Sequence, residues 1–197
     1  MPFDFLLTLL VAYLIGSINP AIELSKLKNL PDPRKHGSGN PGATNMYRIG
    51  GKKTAASVLV FDLFKGLIPT WGSYHLGFSP TEIGFTAVVA CLGHMFPIYY
   101  RFKGGKAVST ALGCMLPVGI SLGFGLLAIW LAVFKKTGYS SLAAIVSVSL
   151  SPVLTYLIAD KYLVPVSMLA ALIVLRHTPN IIRLINGTEP KSKQRLK

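Results

Sequence analysis

Long apolar runs separated by short polar connectors dominate this sequence and leave few folds open to it. Apolar residues make up 51% of the 197-residue chain and charged residues only 14%, whereas about a quarter of the residues in soluble domains are charged. A helix of about 20 apolar residues crosses a bilayer, and lipid excludes open sheets because their backbone groups would lack partners. The pattern predicts an all-α integral membrane protein that forms one polytopic domain over residues 1–197.

The apolar runs predict about seven transmembrane segments. The run at 107–134 decides the number, because it is too long for one ordinary crossing and too short for two full ones. If it crossed once, the basic residues that follow it would lie outside, whereas two short helices bent near Pro117 and Gly119 return them to the cytoplasm. We favour the bent hairpin. The segments are then 3–24, 54–71, 83–100, the two halves of 107–134, 139–159 and 162–184.

The distribution of basic residues sets the orientation. The chain has 20 Lys and Arg residues against 7 Asp and Glu residues, a net charge of +13, and in this topology only Lys161 of the basic residues lies outside. No basic face interleaved with aromatic residues occurs, so nucleic acid is not an expected partner. The N-terminus is predicted outside and the C-terminus in the cytoplasm, together with the tail residues Lys191, Lys193, Arg195 and Lys197.

Few residues suit metal or redox chemistry. Cys91 and Cys114 lie in apolar runs without ligand spacing, which predicts buried free thiols. The histidines also lack the spacing of metal ligands, so neither a metal nor another cofactor is expected. Asp62 and Lys65 are three residues apart on one helix face, and they could form an internal ion pair or contact a substrate.

A polar stretch at residues 34–53 combines glycines, small donors and cations. Glycines let main-chain N–H groups approach an anion, and hydroxyl and amide side chains add further donors. The stretch could be a phosphate-binding loop or an ordinary basic connector between two spans. Its members are Gly37, Gly39 and Gly42, the donors Ser38, Thr44 and Asn45, and the cations Arg34, Lys35, Arg48, Lys52 and Lys53.

Two further polar clusters, at 101–106 and 176–189, face the same leaflet in this topology. In the first, Gly104, Gly105 and Lys106 lead directly into a helix whose free N–H groups can bind an anion, although a generic basic turn is the alternative. The three clusters are rich in donors and nearly lack carboxylates. They predict a site at the cytoplasmic face for a phosphorylated substrate whose lipid tail lies among the helices. A transporter of organic phosphate anions is the alternative.

Several blocks of the sequence carry a family resemblance that covers almost the whole chain. They are GSINP (16–20), GSGNPGATNMYR (37–48), DLFKG (62–66), GHMFP (93–97), FKGGKAV (102–108) and RHTPNI (176–181), followed by Arg183, Leu184, Gly187 and Glu189. In these blocks the sequence resembles the PlsY family, the bacterial acyl-phosphate:glycerol-3-phosphate acyltransferases. The His-x4-Asp signature of the acyl-CoA-dependent glycerolipid acyltransferases is absent from the sequence.

The resemblance implies an acyl transfer, the first acylation of bacterial phospholipid synthesis. The sn-1 hydroxyl of glycerol 3-phosphate attacks the carbonyl of a fatty acyl phosphate, giving lysophosphatidic acid and inorganic phosphate. Because acyl phosphate is already activated, this reaction needs no covalent enzyme intermediate and depends on positioning and charge stabilisation. The implied partners are glycerol 3-phosphate, fatty acyl phosphate and membrane lipid. A monomer in the bacterial inner membrane, without a cofactor, is expected.

The resemblance also implies roles for individual residues. Ser38 and Arg48 are the essential polar pair, His177 and Asn180 are a second catalytic pair, and Glu189 is a structural acid. Ser38 has no evident base partner, so a nucleophilic role is not expected. The general base is either His177 or a phosphate oxygen of glycerol 3-phosphate itself. The implied substrate-binding residues are Asn40, Thr44, Asn45, Gly104, Gly105, Lys106 and Ser141.

Overall fold

The computed structural model describes residues 3–192 and contains no strand within that range. The expectation of an all-α protein is therefore confirmed. Two 3₁₀ turns, Ile98–Tyr100 and Asp160–Tyr162, lie between the α-helices. The α-helices are α1 (Phe3–Ser17), α2 (Pro20–Leu27), α3 (Ala43–His75), α4 (Pro80–Met95), α5 (Val108–Val118), α6 (Ile120–Thr137), α7 (Ser140–Ile158), α8 (Leu163–Arg176) and α9 (Thr178–Ile185).

Several of these helices are long and apolar enough to cross a membrane. Three segments meet that requirement alone, namely Pro80–Tyr100, which contains α4, and the helices α6 and α7. If each of the bent pairs α1–α2 and α8–α9 is one span, the number rises to five within residues 3–192. The seven-segment topology and its orientation stay predictions. The tail residues Lys193, Arg195 and Lys197, which were expected in the cytoplasm, lie outside the described range.

Two segments that the sequence predicts as single spans are broken helices. The span at 3–24 breaks at Asn19, and α2 continues at an angle of 40° to α1. The Asn19 side chain accepts a hydrogen bond from the Ile22 N–H at 3.2 Å, and Pro20 occupies the first turn of α2, where it needs no N–H partner. The span at 162–184 bends by 56° between α8 and α9. At the first of these breaks, capping chemistry overrides the continuous apolar pattern.

The start of α3 corrects the boundary of the first polar cluster. The sequence predicts a connector as far as Lys53, but α3 begins at Ala43 and includes more than half of that stretch. Met46 lies on its first turns and is fully buried against α2 and Val58, and this packing stabilises the helix despite the surrounding polar residues. Gly51 has φ 76° and kinks α3, and the helix resumes after it. Several expected loop residues therefore stand on a helix face.

The chain reverses between α5 and α6, as the sequence predicts. Gly119 ends α5 and precedes α6 in an extended conformation. A Cβ atom added at Gly123 would lie 3.7 Å from the backbone nitrogen of Leu116, a separation that a continuous helix could not give to residues so far apart in sequence. The bend expected near Pro117 and Gly119 is confirmed. The beginning of α5 and the end of α6 consequently lie on the same side of the bundle.

Small residues allow α3 and α5 to pack with their backbones in contact. A Cβ atom added at Gly66 or Gly113 would lie 2.0 Å from the carbonyl oxygen of Thr110 or Leu63, respectively. Helices in a membrane gain no hydrophobic free energy by leaving lipid for one another, so they associate through the close van der Waals packing that small residues allow. The packing fixes the beginning of α5 against α3, and both helices contribute to the site described below.

The buried free thiols that the sequence predicts are present, and an ion pair, one of the two possibilities left open for Asp62 and Lys65, is observed. Cys91 and Cys114 are free and completely buried. Asp62 and Lys65 form an ion pair at 2.9 Å on one face of α3.

Candidate active site

A large cavity connects the polar clusters to the apolar interior. This main cavity has a volume of about 440 Å³, within the usual range for ligand sites. At one end it is lined by the first turns of α3, α5 and α7, and its opposite part is apolar and lies against α6 and α8. A second, polar cavity of about 180 Å³ shares four lining residues with it: Ser38, Asn40, Lys106 and Asn180.

Asn45 holds the glycine-rich loop that precedes α3. Its Oδ1 atom accepts a hydrogen bond from the Ser38 N–H at 3.0 Å, and its Nδ2 atom donates to the carbonyl oxygens of Pro33 and His36, both at 2.9 Å. Gly37 has φ +64°, and a Cβ atom there would lie 2.1 Å from Asn45 Oδ1. A residue at the start of α3 thus fixes the loop so that Ser38 lines both cavities.

Arg48 presents an unpaired donor at the main cavity. The side chain is only 9% exposed, and its Nη2 atom donates to the carbonyl oxygens of Pro190 and Lys191 at 3.3 and 3.2 Å. Within residues 3–192, its buried Nε has no hydrogen-bond partner. Buried donors are normally satisfied, so the arrangement suits an anionic ligand in the cavity that Arg48 lines.

Glu189 joins two helices, α7 and α9. Its Oε1 atom accepts hydrogen bonds from the Ser141 hydroxyl at 2.6 Å and from Asn180 Nδ2 at 2.7 Å, and its Oε2 atom accepts from Arg183 Nε at 2.7 Å. Burial by itself would raise the pKa of Glu189, but these hydrogen bonds outweigh it and hold the pKa below its ordinary value. The carboxylate therefore links α7 to α9 through charge-assisted bonds.

Lys106, which precedes α5, is connected to Glu189 through Asn180. Lys106 Nζ donates to Asn180 Oδ1, while the Asn180 amide nitrogen donates to Glu189, so both ends of the amide are fixed. The pKa of Lys106 is lowered to about 8, mainly by burial; Glu189 opposes this shift, and the neighbouring arginines add to it. An incoming phosphate would stabilise the cation.

His177 lies at the junction of α8 and α9 and is 2% exposed. Its Nδ1 atom is 2.7 Å from the carbonyl oxygen of Ile173. A carbonyl can only accept, so Nδ1 carries the proton and Nε2 is the second ring nitrogen available to a ligand. His177 lines the main cavity.

The site residues that the family resemblance implies converge on these cavities, with one exception. Thr44 also takes part, because its hydroxyl lies 3.0 Å from that of Ser140. Gly105 lines neither cavity, although its neighbours Gly104 and Lys106 in the same loop do. Those that line the main cavity are Ser38, Asn40, Thr44, Asn45, Arg48, Lys106, Ser141, His177, Asn180 and Glu189, while Gly104 lines the polar cavity.

Sequence reasoning missed several residues that line the main cavity. Ser140, Ser147 and Ser151 follow one face of α7, and their helical spacing was a usable signal. Asp62 and His94 line it as well. Both stand in blocks of the family resemblance, but the sequence suggests no role for His94 and leaves Asp62 open between an ion pair and a substrate contact. Only the packing of α3 against α4 brings these two together.

The fold and the cavities define an integral membrane protein with a cation-rich site that continues into an apolar cavity, as expected of a protein that acts on a lipid. Residues 6–187 match the family model described as glycerol-3-phosphate acyltransferase, and the chain belongs to that family. The glycerol-3-phosphate acyltransferase of Pseudoalteromonas translucida (strain TAC 125) is 54% identical over 94% of this chain and 91% of its own length. The glycerol-3-phosphate acyltransferase of Colwellia psychrerythraea (strain 34H) is 55% identical over 93% of this chain and 93% of its own length.

Solved structures agree with the sequence relatives. Two crystal structures of PlsY (YgiH), an integral membrane glycerol 3-phosphate acyltransferase, match 95% of this chain and 95% of their own. The glycerol 3-phosphate form has a TM-score of 0.90 at 37% identity, and the lysophosphatidic acid form has 0.88 at 36%. The family resemblance and the membrane fold that the sequence predicts are confirmed.

We expect Glu189→Gln to destabilise the folded protein at neutral pH by about 2–3 kcal/mol. If the amide oxygen of Gln keeps the bonds from Ser141 and Asn180, its nitrogen faces Arg183 Nε, so one of the three donors loses its acceptor. Because the pKa of Glu189 is lowered, its contribution to stability is complete above the ordinary value of 4.5 and is lost as the pH falls through the pKa of the folded state. On acidification the native chain should therefore lose stability faster than the variant. Thermal unfolding in detergent, measured from pH 7 downwards, tests this.

Glu23→Gln is the matched control for this measurement. The Glu23 side chain is 42% exposed, pairs with Lys26 at the surface and accepts a hydrogen bond from the Tyr100 hydroxyl. A surface ion pair contributes less than about 1 kcal/mol, and the amide oxygen of Gln can still accept from Tyr100. Equal losses of stability in the two variants would contradict the linking role of Glu189.

Proposed function

We propose that this chain transfers the acyl group of a fatty acyl phosphate to the sn-1 hydroxyl of glycerol 3-phosphate, yielding lysophosphatidic acid and inorganic phosphate. The observation that carries the proposal is the junction of a cation-rich polar cavity with an apolar cavity between the helices. A donor with a phosphate head and an acyl tail needs both environments. The glycerol 3-phosphate and lysophosphatidic acid forms of PlsY support the same pair of ligands.

The apolar part of the main cavity is the proposed path of the acyl chain. Its lining includes Leu126 and Trp130 from α6 and Leu169 from α8. Transfer of hydrocarbon into such a cavity is favourable by about 0.8 kcal/mol for each buried CH₂ group. Binding of the tail would hold the carbonyl at the polar end, where the main and polar cavities share residues.

The polar groups supply positioning and charge stabilisation in the proposed mechanism. Lys106 with Gly104 and Gly105 binds the phosphate of the acyl phosphate, and the unpaired Nε of Arg48 faces the second phosphate or the developing oxyanion. Ser38 and Asn180 lie where the two cavities meet. The hydroxyl oxygen forms a bond to the carbonyl carbon, the bond from that carbon to the phosphate oxygen breaks, and phosphate leaves as an anion. Fixed donors around this charge lower the barrier.

A phosphate oxygen of glycerol 3-phosphate is the proposed acceptor of the hydroxyl proton. His177 is the other candidate, but its Nδ1 atom bonds a neutral main-chain carbonyl, which stabilises an imidazolium less than a carboxylate would. The cation of Lys106 also disfavours a second positive charge at this ring. His177 would then donate or accept a hydrogen bond without removing the proton.

We place the site on the cytoplasmic face of the bacterial inner membrane, because that orientation leaves nearly all Lys and Arg residues inside. The groups named above come from one chain, so a monomer suffices for the reaction. A transporter of organic phosphates would need a binding site open alternately to both sides. The polar groups gather instead at one end of the bundle.

We expect the purified protein in liposomes to convert labelled glycerol 3-phosphate to lysophosphatidic acid with a long-chain acyl phosphate and not with the matching acyl-CoA. The reason is that Lys106 and the adjacent glycines suit a compact phosphate leaving group. Thin-layer chromatography of the extracted lipid measures the product. Product from acyl-CoA alone would contradict the proposed donor, and uptake of unchanged glycerol 3-phosphate would support a carrier.

We expect His177→Gln to retain turnover within about 100-fold of the native chain, because loss of an obligatory general base costs about 10²–10⁴-fold. The Gln amide can still hydrogen-bond a phosphate near the position of Nε2. Initial rates of product formation measure the effect.

Thr178→Ala serves as the control at the same helix junction, since Thr178 is exposed and bonds only a local carbonyl. A loss of His177→Gln turnover to background, with Thr178→Ala unaffected, would identify His177 as the base.

A further inference from the structure

A buried charge network borders the main cavity and takes no part in the chemistry proposed above. Asp62 Oδ1 on α3 lies 2.9 Å from Lys65 Nζ and 3.3 Å from His94 Nδ1 on α4. None of the three side chains is more than 6% exposed. Thr110 Oγ1 lies 3.4 Å from the same His94 nitrogen. Charges at membrane depth are costly and are rarely present without a task.

Lys65 ties this network to the break between α1 and α2. Its Nζ atom donates a hydrogen bond to the carbonyl oxygen of Ile18 at 2.6 Å, and Ile18 lies between the two helices. The carbonyl groups at the end of α1 lack intrahelical partners and carry a partial negative charge. Lys65 therefore balances the charge of Asp62 and also supplies a hydrogen-bond donor to a carbonyl oxygen at the end of α1.

His94 connects the network to the loop that carries Lys106. Its carbonyl oxygen accepts a hydrogen bond from the Gly105 N–H at 3.1 Å. A Cβ atom added at Gly105 would lie 2.1 Å from His94 Nε2, and its three nearest atoms would all belong to the His94 ring. The ring thus faces Asp62 through Nδ1 and abuts the loop through Nε2.

We propose that Asp62 and His94 are positioning residues for acyl transfer. Asp62 fixes the orientation of the His94 ring, and the ring sets the position of Gly105 and, through it, of the adjacent Lys106. This inference rests on the proposed function, in which the Gly104–Lys106 loop binds the donor phosphate. Displacement of that loop by about 1 Å is enough to lower the rate on the order of 100-fold.

The glycines offer a test with an internal control. Gly105 is not among the glycines with a left-handed backbone conformation, so the backbone itself tolerates an alanine there. What opposes the alanine is the contact of its Cβ atom with the His94 ring. We expect Gly105→Ala to lower kcat/KM for the acyl phosphate on the order of 100-fold. In a His94→Ala background, which removes the ring, the same substitution should cost only a small part of that factor.

Gly104→Ala is the matched control, because its Cβ atom would lie 2.1 Å from the His94 carbonyl oxygen and 2.5 Å from Pro97 Cδ. The His94→Ala substitution leaves both atoms in place, so the cost of Gly104→Ala should be the same in both backgrounds. If Gly105→Ala is equally harmful with and without the His94 ring, the ring does not set the loop and the proposal is wrong.

A second cycle tests whether Asp62 acts through His94. We expect Asp62→Asn to raise KM for the acyl phosphate more than KM for glycerol 3-phosphate, and to add little once His94→Ala is present. A merely structural role would change the yield of folded protein without this KM difference, and additive effects would contradict the coupling. If Asp62→Asn does not fold, Asp62→Asn combined with Lys65→Met removes both charges of the pair and is used in its place.

Rates in both cycles are measured with a long-chain acyl phosphate and, in parallel, with the matching acyl-CoA. If the native chain uses only acyl-CoA, the proposed donor is wrong, whereas the coupling between His94 and Gly105 is still read from that substrate. An error in the proposed acyl donor and an error in the proposed positioning role of His94 therefore give different results.

Discussion

The carboxylate of Glu189 is the group on which the site depends. It follows the last helix, yet it accepts hydrogen bonds from Ser141 on α7 and from Asn180 and Arg183 on α9. A buried carboxylate is tolerated only where donors surround it, so its presence fixes these elements relative to one another. Asn180 then turns its amide oxygen toward Lys106 before α5. One acid thereby organises donors from three distant parts of the chain.

The lipid environment explains why these donors gather at one end of the bundle. Polar groups cannot be scattered along helices that face hydrocarbon, and they collect where helix N-termini and loops meet water. The main cavity leads from that layer toward the apolar faces of α6 and α8. A substrate with a phosphate head and an acyl tail matches this change of environment. The buried Asp62 network is the exception, and its contact with Gly105 through His94 gives it a place in the same site.

Part of this architecture follows from sequence alone, because it rests on local spacing. The reversal near Gly119, the Asp62–Lys65 pair and the gathering of the glycine-rich clusters at one face follow from helical periodicity and charge distribution. The start of α3 does not, since the burial of Met46 against α2 is a tertiary contact. The bonds from Arg48 to the carbonyls of residues 190 and 191 join chain segments that no spacing rule relates. For the same reason, the sequence leaves the partners of Glu189 open.

Accessibility of single cysteines tests the central claim that the clusters form one site facing the cytoplasm. His36→Cys and Asn186→Cys place thiols at exposed positions of the first and last clusters, and His75→Cys places one at the exposed opposite end of α3. The native thiols are buried. A membrane-impermeant maleimide is applied to spheroplasts and to inverted membrane vesicles. The account predicts that the thiols introduced at positions 36 and 186 react only in inverted vesicles and that the thiol introduced at position 75 reacts only in spheroplasts. Labelling of positions 36 and 186 from opposite sides of the membrane would contradict it.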